Sequence, residues 1–574
     1  MTLSPGTARA PQVGGGQLAG GRYSAGHRAL DDVMVREDWY RAAGWWTDEL
    51  LHDFVLRHAR QDPHAEAIAA AGVRLTRGDL TAQVLRVSEA FRWLGAGPGT
   101  RVVVQLPNEP EVIVVVLALA RLGAAAVLAP SGLRIRELRH ITQTSGAGIV
   151  VVSARAQHGA NLATGRELAA SCHGVHTLVI TGMPAGGVSV TAGEYSLDRL
   201  SAQVSAAGPP SPSSCAGPGD VALYLLSGGT TGLPKLIPRT HQDYVCNLKV
   251  SAEIARLDGS SVYLGALPVC HNFTLGCPGV LGTLAFGGRV VLPRARTADA
   301  VLATMAAEGV TISAAVPSLA ARWAASARAQ PALAAELKLA VLQAGAARIS
   351  AAQVGEVTAA LGCTVQQVYG MSEGLLAFSR LDDAPDVVAQ TQGRPACDGD
   401  EWRLVEQDGS DVPDGGPGEL WVRGPYTVPG YLASADVNDA AFAPEGWYRT
   451  GDIVRWHPSG NFVVTGRRRD FINKGGEKVS ATEVEELASA HPSVLSAAAI
   501  PVPSEAFGEG ICVFVTLHSD GDLELAELRR FLSSCGVAPY KLPDRLEIVS
   551  ELPVTAIGKV DKTALHAAAG NGKE

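Results

Sequence analysis

The sequence predicts an α/β protein: a large N-terminal domain of parallel sheets covered by helices, with a small β-rich layer, followed by a small C-terminal α+β domain. Three observations carry this. The chain has 574 residues, and single hydrophobic cores stop growing at roughly 250–300 residues. Short apolar runs alternate with amphipathic stretches over most of the length, the pattern of strands buried between helices. From about Asp400 onward the runs become shorter and turn-separated, and a compact unit follows Asp470.

In chain order, residues 1–28 are rich in Gly, Ala and Pro with no continuous apolar stretch. They read as a disordered tail and not as a signal peptide. Residues 29–469 form the large domain. Its strand candidates are RVVVQL, GIVVVS, HTLVI, VALYLLS, GGRVVLP, TISAAV, LAVLQAG and TVQQVYG. The most apolar segment, Val112 to Ala129, contains Arg121 and is expected to be a buried helix followed by a buried strand. A membrane span would need about 20 uninterrupted apolar residues. Ser201–Gly219 reads as a Pro/Ser/Gly linker, and GELWVRG and NFVVTGR supply the small β-rich layer. In the C-terminal unit, 470–574, helices are expected at 482–490 and 525–533, and strands at 497–501, 511–517 and near 545–549.

Composition narrows the function. A formal charge of −9 and a pI near 5.9 argue against a nucleic-acid binder, which would present a basic face. The nine cysteines are scattered and form no CxxC pair. They predict reduced thiols in a cytoplasmic protein, not a disulfide frame or a zinc site.

The first chemically specific segment is Ser227-Gly228-Gly229-Thr230-Thr231-Gly232-Leu-Pro-Lys235, directly after VALYLL. Glycines after a buried strand let backbone N–H groups approach phosphate oxygens. The three hydroxyls add donors and Lys235 adds a point charge. Leu and Pro separate the last glycine from the lysine, so this is not a Walker A loop.

This loop resembles the signature of the adenylate-forming superfamily, which comprises acyl-CoA synthetases, nonribosomal peptide synthetase adenylation domains and luciferases. LSGGTTGLPKLIPRTHQDYVCN and ALPVCHNFTLGCPGVLGTLAFGG more closely resemble the stand-alone aryl-acid AMP ligases of siderophore pathways, such as the salicylate and 2,3-dihydroxybenzoate enzymes. The resemblance runs from about Tyr40 to Leu565. It implies an ATP- and Mg²⁺-dependent enzyme with a mobile C-terminal cap that turns at a hinge, Arg469 or Asp470.

Further roles follow residue by residue from the same resemblance. The 227–235 loop would hold phosphates. Gly345, Ala346, Ala347, Gln367, Val368, Tyr369, Gly370, Met371 and Ser372 would line the nucleotide site, with Tyr369 against adenine. Glu373 would hold Mg²⁺, an oxygen-seeking cation. Asp452 would accept from the ribose hydroxyls, with Arg467 beside it, and Arg468 would be a solvated charge. Lys559 would bridge the substrate carboxylate and the α-phosphate, opposing charge on the reacting phosphorus. Lys474 and Lys478 flank a two-glycine turn and read as exposed.

The acid pocket would be built by His271 at its mouth with Asn272, Phe273, Gly276, Cys277, Ala344 and Gly345. Asparagine offers a donor and an acceptor, suited to an ortho substituent. Cys277 stands where the dihydroxybenzoate pattern has a serine, and thiols hydrogen-bond weakly. Ala344 opens space and Ala346 narrows it. The expected substrate is therefore a salicylate-like aryl acid ahead of 2,3-dihydroxybenzoate. No carrier domain follows Lys559, so the acceptor thiol is expected in trans, on a phosphopantetheinylated carrier protein. Free coenzyme A is the alternative, and a non-catalytic nucleotide-binding regulator the more distant one.

Overall fold

The computed structural model describes residues 36–70, 72–183, 190–207, 214–227, 233–406, 408–413, 416–468, 471–474, 477–504, 507–518, 522–535, 538–555 and 559–570. The N-terminal tail, loop residues Gly228, Gly229, Thr230, Thr231 and Gly232, and the hinge pair Arg469–Asp470 lie outside them.

Two sheets form the large domain. The seven-stranded sheet runs in the order Glu194–Ser196, Thr177–Thr181, Ile149–Ser153, Arg101–Gln105, Ala125–Leu128, Val221–Leu226, Leu236–Thr240. All its neighbours are parallel except the last pair. The nine-stranded sheet has a parallel centre of Thr364–Met371, Val341–Gly345, Ile312–Ala315, Val262–Leu264, Arg289–Leu292 and Glu66–Ala70. Each predicted apolar run forms one of these strands. Strands such as Ile149–Ser153 and Thr177–Thr181 are buried at every residue, which is why their sequences are continuously apolar and not alternating.

One core cluster draws on both sheets, through Val102 and Val104 of one and Ile68 and Val290 of the other, with helices between them. Pro110–Arg121 is the central helix of that layer, and only Glu111 within it escapes burial. It hands over to the strand Ala125–Leu128, as the Val112–Ala129 pattern predicts. Two further clusters fill the outer faces, one under Trp323 and one around Val150 and Leu178. No described helix is long and apolar enough to cross a membrane.

The linker expected at Ser201–Gly219 begins later than composition suggests. Leu197–Ala207 is a helix, because Leu197 and Leu200 bury one face against the central core and the Ala and Ser residues do not oppose helix. The β-rich layer is a sheet of Glu401–Val405, Gly418–Arg423, Trp447–Trp456 and Phe442–Ala443, with Phe462–Arg467 paired to Trp447–Trp456.

The C-terminal domain packs Ala481–Ser489 and Leu525–Ser534 on a sheet in which Val494–Ser504 and Gly508–Leu517 form a long antiparallel pair. The sequence reading missed two parts of it. One is the hairpin Phe471–Lys474/Glu477–Ser480, whose polar strands lack an apolar signal. The other is the helix Lys562–Gly570, which buries Leu565 and Ala569 against Ile500 and Phe514. The domains meet through an ion pair between Arg348 and Glu486 at 2.6 Å. The Ser480 hydroxyl also donates to the Thr465 carbonyl at 2.9 Å.

Candidate active site

A cavity of about 970 Å³ opens between the two domains. Ser227, Lys235, His271, Asn272, Phe273, Cys277, Ala346, Glu373, Asp452, Arg467 and Lys559 line it, together with Val368, Gly370, Met371 and Ser372. Residues scattered over more than 330 positions of sequence thus meet in one space, and each arrives by a definable local device.

Ser227 and Lys235 are tied together at the two ends of the phosphate loop. The Ser227 N–H donates to the Lys235 carbonyl at 3.0 Å, and the Lys235 N–H donates to the Ser227 hydroxyl at 3.0 Å. The antiparallel strands Val221–Leu226 and Leu236–Thr240 clamp the loop from below. The Lys235 ammonium lies 4.6 Å from the centre of the Tyr431 ring, a cation–π contact that directs it into the cavity.

Glu373 sits at the tip of the hairpin between Thr364–Met371 and Gly374–Phe378, and its Oε1 accepts from the Tyr431 hydroxyl at 2.8 Å. Tyr431 in turn lies 3.2 Å from the Tyr448 hydroxyl. Among the described residues no cluster of three or more His, Cys, Asp or Glu could cage a metal. One buried, oriented carboxylate facing a polar cavity fits Mg²⁺, which usually takes one or two carboxylates and fills its shell with water and phosphate oxygens.

Asp452 and Arg467 face each other as register partners on adjacent antiparallel strands. The Arg467 Nε donates to Asp452 Oδ1 at 2.7 Å, and the Tyr369 hydroxyl donates to Oδ2 at 2.6 Å. A carboxylate has about four lone-pair sites, so acceptor capacity remains beside the cavity.

Lys559 comes from the other domain. Its turn is closed by the Thr555 N–H donating to the Lys559 carbonyl at 2.7 Å and the Asp561 N–H donating to the Pro553 carbonyl at 2.8 Å. Burial pushes its pKa down to about 8, assisted by the Arg467 charge and opposed by Asp452 and Glu373. The same burial, with the Lys559 charge nearby, holds His271 down near 3, so His271 faces the cavity as a neutral imidazole at physiological pH.

A pH dependence follows from these values. Lys559 is cationic below about pH 8 and loses its charge above it. Free-enzyme kcat/KM for pyrophosphate exchange is therefore expected to fall by about tenfold per pH unit above that point. His271, held near 3, is expected to contribute no step near the ordinary histidine value. A profile flat to pH 10 would exclude Lys559 as the titrating group.

The acid end is held from two sides. Asn272–Gly276 is a short helix that buries all its residues. The loop before it is braced by Asn108, whose side-chain N–H groups donate to the Gly265 and Leu267 carbonyls at 3.0 and 2.7 Å. Asn108 Oδ1 accepts from the Val269 N–H at 2.9 Å. Gly345 lies behind Phe273, where a Cβ would come within 2.9 Å of the ring. Ala346 adopts a left-handed conformation at φ +66°, which is unfavourable for a residue with a Cβ, and it projects into the cavity.

Several expected positions fall elsewhere. Ala344 is buried in the outer core under Trp323 and does not open the cavity, because its strand turns that side chain to the opposite face. Gln367 is buried and donates to the Val388 carbonyl at 2.5 Å, away from the cavity. Ala347 is exposed. Gly276 lies beneath the pocket against Tyr244. Tyr369 reaches Asp452 through its hydroxyl and is not among the lining residues. Arg468 is exposed, as expected of a solvated charge, and it also pairs with Glu419 at 2.8 Å beside the cavity. Lys474 is buried, 2.7 Å from Asp544, and not exposed. The sequence reading also missed Tyr431, Tyr448 and Asn108, whose roles depend on contacts between distant segments.

This two-domain architecture, with one cleft collecting Ser227 and Lys235 from the two ends of the phosphate loop, the acidic hairpin tip and the lysine of the C-terminal domain, is that of an adenylate-forming enzyme. The chain belongs to the AMP-binding enzyme family: the family profile matches residues 55–432, and that of its C-terminal domain matches residues 483–559. It is 43% identical to a salicylyl-CoA synthase / salicylate adenylyltransferase of a Streptomyces species, over 92% of this chain and 95% of that one. It is 42% identical to the salicyl-AMP ligase / salicyl-S-ArCP synthetase of Mycobacterium tuberculosis, over 92% of each chain. Among solved structures, the apo MbtA of Mycobacterium smegmatis shares 41% identity at a TM-score of 0.70, covering 93% of this chain and 97% of that one.

Proposed function

We propose that this enzyme adenylates a salicylate-like aryl acid with Mg·ATP, releases pyrophosphate, and passes the acyl group to the phosphopantetheine thiol of a carrier protein acting in trans. The observation that carries the reading is the convergence of Lys559 with His271, Asn272 and Cys277 on one side, and Asp452, Arg467 and Glu373 on the other, around a single cavity.

In this reading Asn272, Phe273 and Cys277 seat the aromatic acid with its carboxylate toward Lys559. Asp452, with Arg467, accepts from the ribose hydroxyls. Ser227, Lys235 and the loop between them hold the β- and γ-phosphates. The acid carboxylate attacks the α-phosphorus, the bond to the β-phosphate oxygen breaks, and pyrophosphate leaves. Lys559 opposes the charge that builds on the phosphoryl oxygens, while Glu373 would hold Mg²⁺, which screens the phosphate charges. Little covalent work is left to the protein, so positioning and charge neutralisation carry the rate.

Support for the acid class comes from the consecutive lining residues His271, Asn272 and Phe273 with Cys277, which offer an aromatic ring, a neutral imidazole, one carboxamide and one thiol. The thiol of Cys277 is pushed up to about 12 by burial, so it is neutral and does not act as a nucleophile. All nine cysteines are free, seven of them buried, as suits a reducing cytoplasm. Both named salicylate relatives activate salicylate, one in a coenzyme A synthase and the other in a carrier-protein synthetase, so coenzyme A stands as the second acceptor to test.

Acid-dependent ATP–pyrophosphate exchange over ortho-substituted benzoates tests the first half-reaction. Salicylate is expected to exceed 2,3-dihydroxybenzoate, since Cys277 serves a 3-hydroxyl poorly. Exchange with fatty or amino acids but no benzoate would overturn the reading. Incubating the adenylate with carrier protein or coenzyme A separates the two acceptors.

A further inference from the structure

We propose that Tyr244, which does not line the cavity, fixes the orientation of the Asn272 carboxamide and thereby makes the acid site select an ortho oxygen over an ortho amine. This rests on the aryl-acid reading above and adds a positioning residue to it.

Tyr244 lies on the helix His241–Ile254, with none of its surface exposed. Its hydroxyl donates to Asn272 Oδ1 at 2.9 Å. On the other side, Asn272 Nδ2 donates to Cys277 Sγ at 3.4 Å. Turned the other way, the carboxamide would present NH₂ to Tyr244, and the buried phenolic O–H would lose its acceptor, a costly arrangement in an interior. The thiol cannot compensate, because S–H is a weak donor. The carboxamide is therefore locked with its oxygen toward Tyr244.

The consequence is chemical. One N–H of Asn272 is taken by Cys277, and the other remains for the ligand. An ortho hydroxyl that bonds internally to its own carboxylate turns an oxygen lone pair outward, which that N–H can meet. An ortho amine conjugated to the ring turns N–H outward instead, so donor meets donor, and the site is left with an unmatched polar group.

The ring is held in place by its surroundings. The Arg239 guanidinium lies 4.8 Å from its centre, and Asn247 Nδ2 donates to the Gly276 carbonyl at 2.5 Å, pinning the segment over the hydroxyl. Position 276 must be glycine for this contact, because a Cβ there would stand 2.5 Å from the Tyr244 hydroxyl. Gly276 thus acts on the acid indirectly, by making room for Tyr244.

The test measures kcat/KM in pyrophosphate exchange for salicylate, 2-aminobenzoate and benzoate, using the full-length wild type, Tyr244→Phe, Gly276→Ala, Asn272→Ala and the Tyr244→Phe/Asn272→Ala double variant. Tyr244→Phe is expected to lower the salicylate-to-aminobenzoate ratio by about tenfold while leaving benzoate within about twofold. Gly276→Ala, which displaces the hydroxyl, should move the ratio the same way. In the Asn272→Ala background, Tyr244→Phe should leave the ratio unchanged, because it acts through Asn272. An unchanged ratio in the single variants, an equal fall for all three acids, or a shift that persists without Asn272 would each overturn the proposal. A wild type that activates none of these acids would instead overturn the aryl-acid reading itself.

Discussion

Replacing Lys559 by alanine is expected to lower adenylation by about 10²–10³-fold while leaving acyl transfer from a preformed adenylate largely intact. The magnitude is that of removing one preorganised charge from a transition state. The selectivity comes from where the residue sits. Lys559 belongs to the C-terminal domain yet shares the cavity with His271 and Glu373, so its charge is supplied by the domain arrangement seen here. A cap that turns for the second half-reaction would carry it away. Pyrophosphate exchange measures the first step, and single-turnover thiolation of isolated adenylate measures the second. An equal loss in both would mean that Lys559 holds the domains together and does not act on phosphorus.

Arg239→Ala should destabilise the large domain by about 3–5 kcal/mol, the cost of removing one partner from a buried ion pair. Arg239 has no exposed surface, and its Nε lies 2.8 Å from Asp243 Oδ1. Burial already raises the Asp243 pKa against the pull of Arg239, so without the arginine this carboxylate would have to take up a proton or stay uncompensated. The same guanidinium donates to the Ser372 carbonyl at 3.2 Å, next to Glu373. A fall in urea midpoint is the readout, and the Arg239→Ala/Asp243→Ala pair should recover part of it, since no lone charge is then buried. A loss below about 1 kcal/mol would show that water reaches the site and the pair is not buried in solution.

Much of this protein was legible before folding was considered. Fully buried parallel strands have continuous apolar sequences, so Ile149–Ser153 and Thr177–Thr181 stood out. Cavity-lining residues that share one short motif, such as Ser227 with Lys235 or Asn272 with Cys277, were also visible, because their types and spacing are local. What sequence reading misassigned shares one cause. Ala344, Gln367 and Ala347 belong to motif stretches, but strand alternation and turn geometry decide which of their neighbours faces the cavity. Lys474 looked solvated because its partner, Asp544, lies 70 positions away.

Sequence alone determined an α/β fold, a glycine- and hydroxyl-rich loop suited to phosphates, and motifs that resemble those of adenylate-forming enzymes. The fold follows from the apolar runs and their periodicity, and the roles expected of Glu373 and Lys559 follow from that resemblance, which is carried by short local motifs and does not depend on distant contacts. Only the tertiary structure decided that Tyr431 holds Glu373, that Tyr369 and Arg467 share Asp452, and that Tyr244 orients Asn272. Each of these pairs joins segments far apart in sequence, and a hydrogen bond depends on distance and direction that only the packed chain defines.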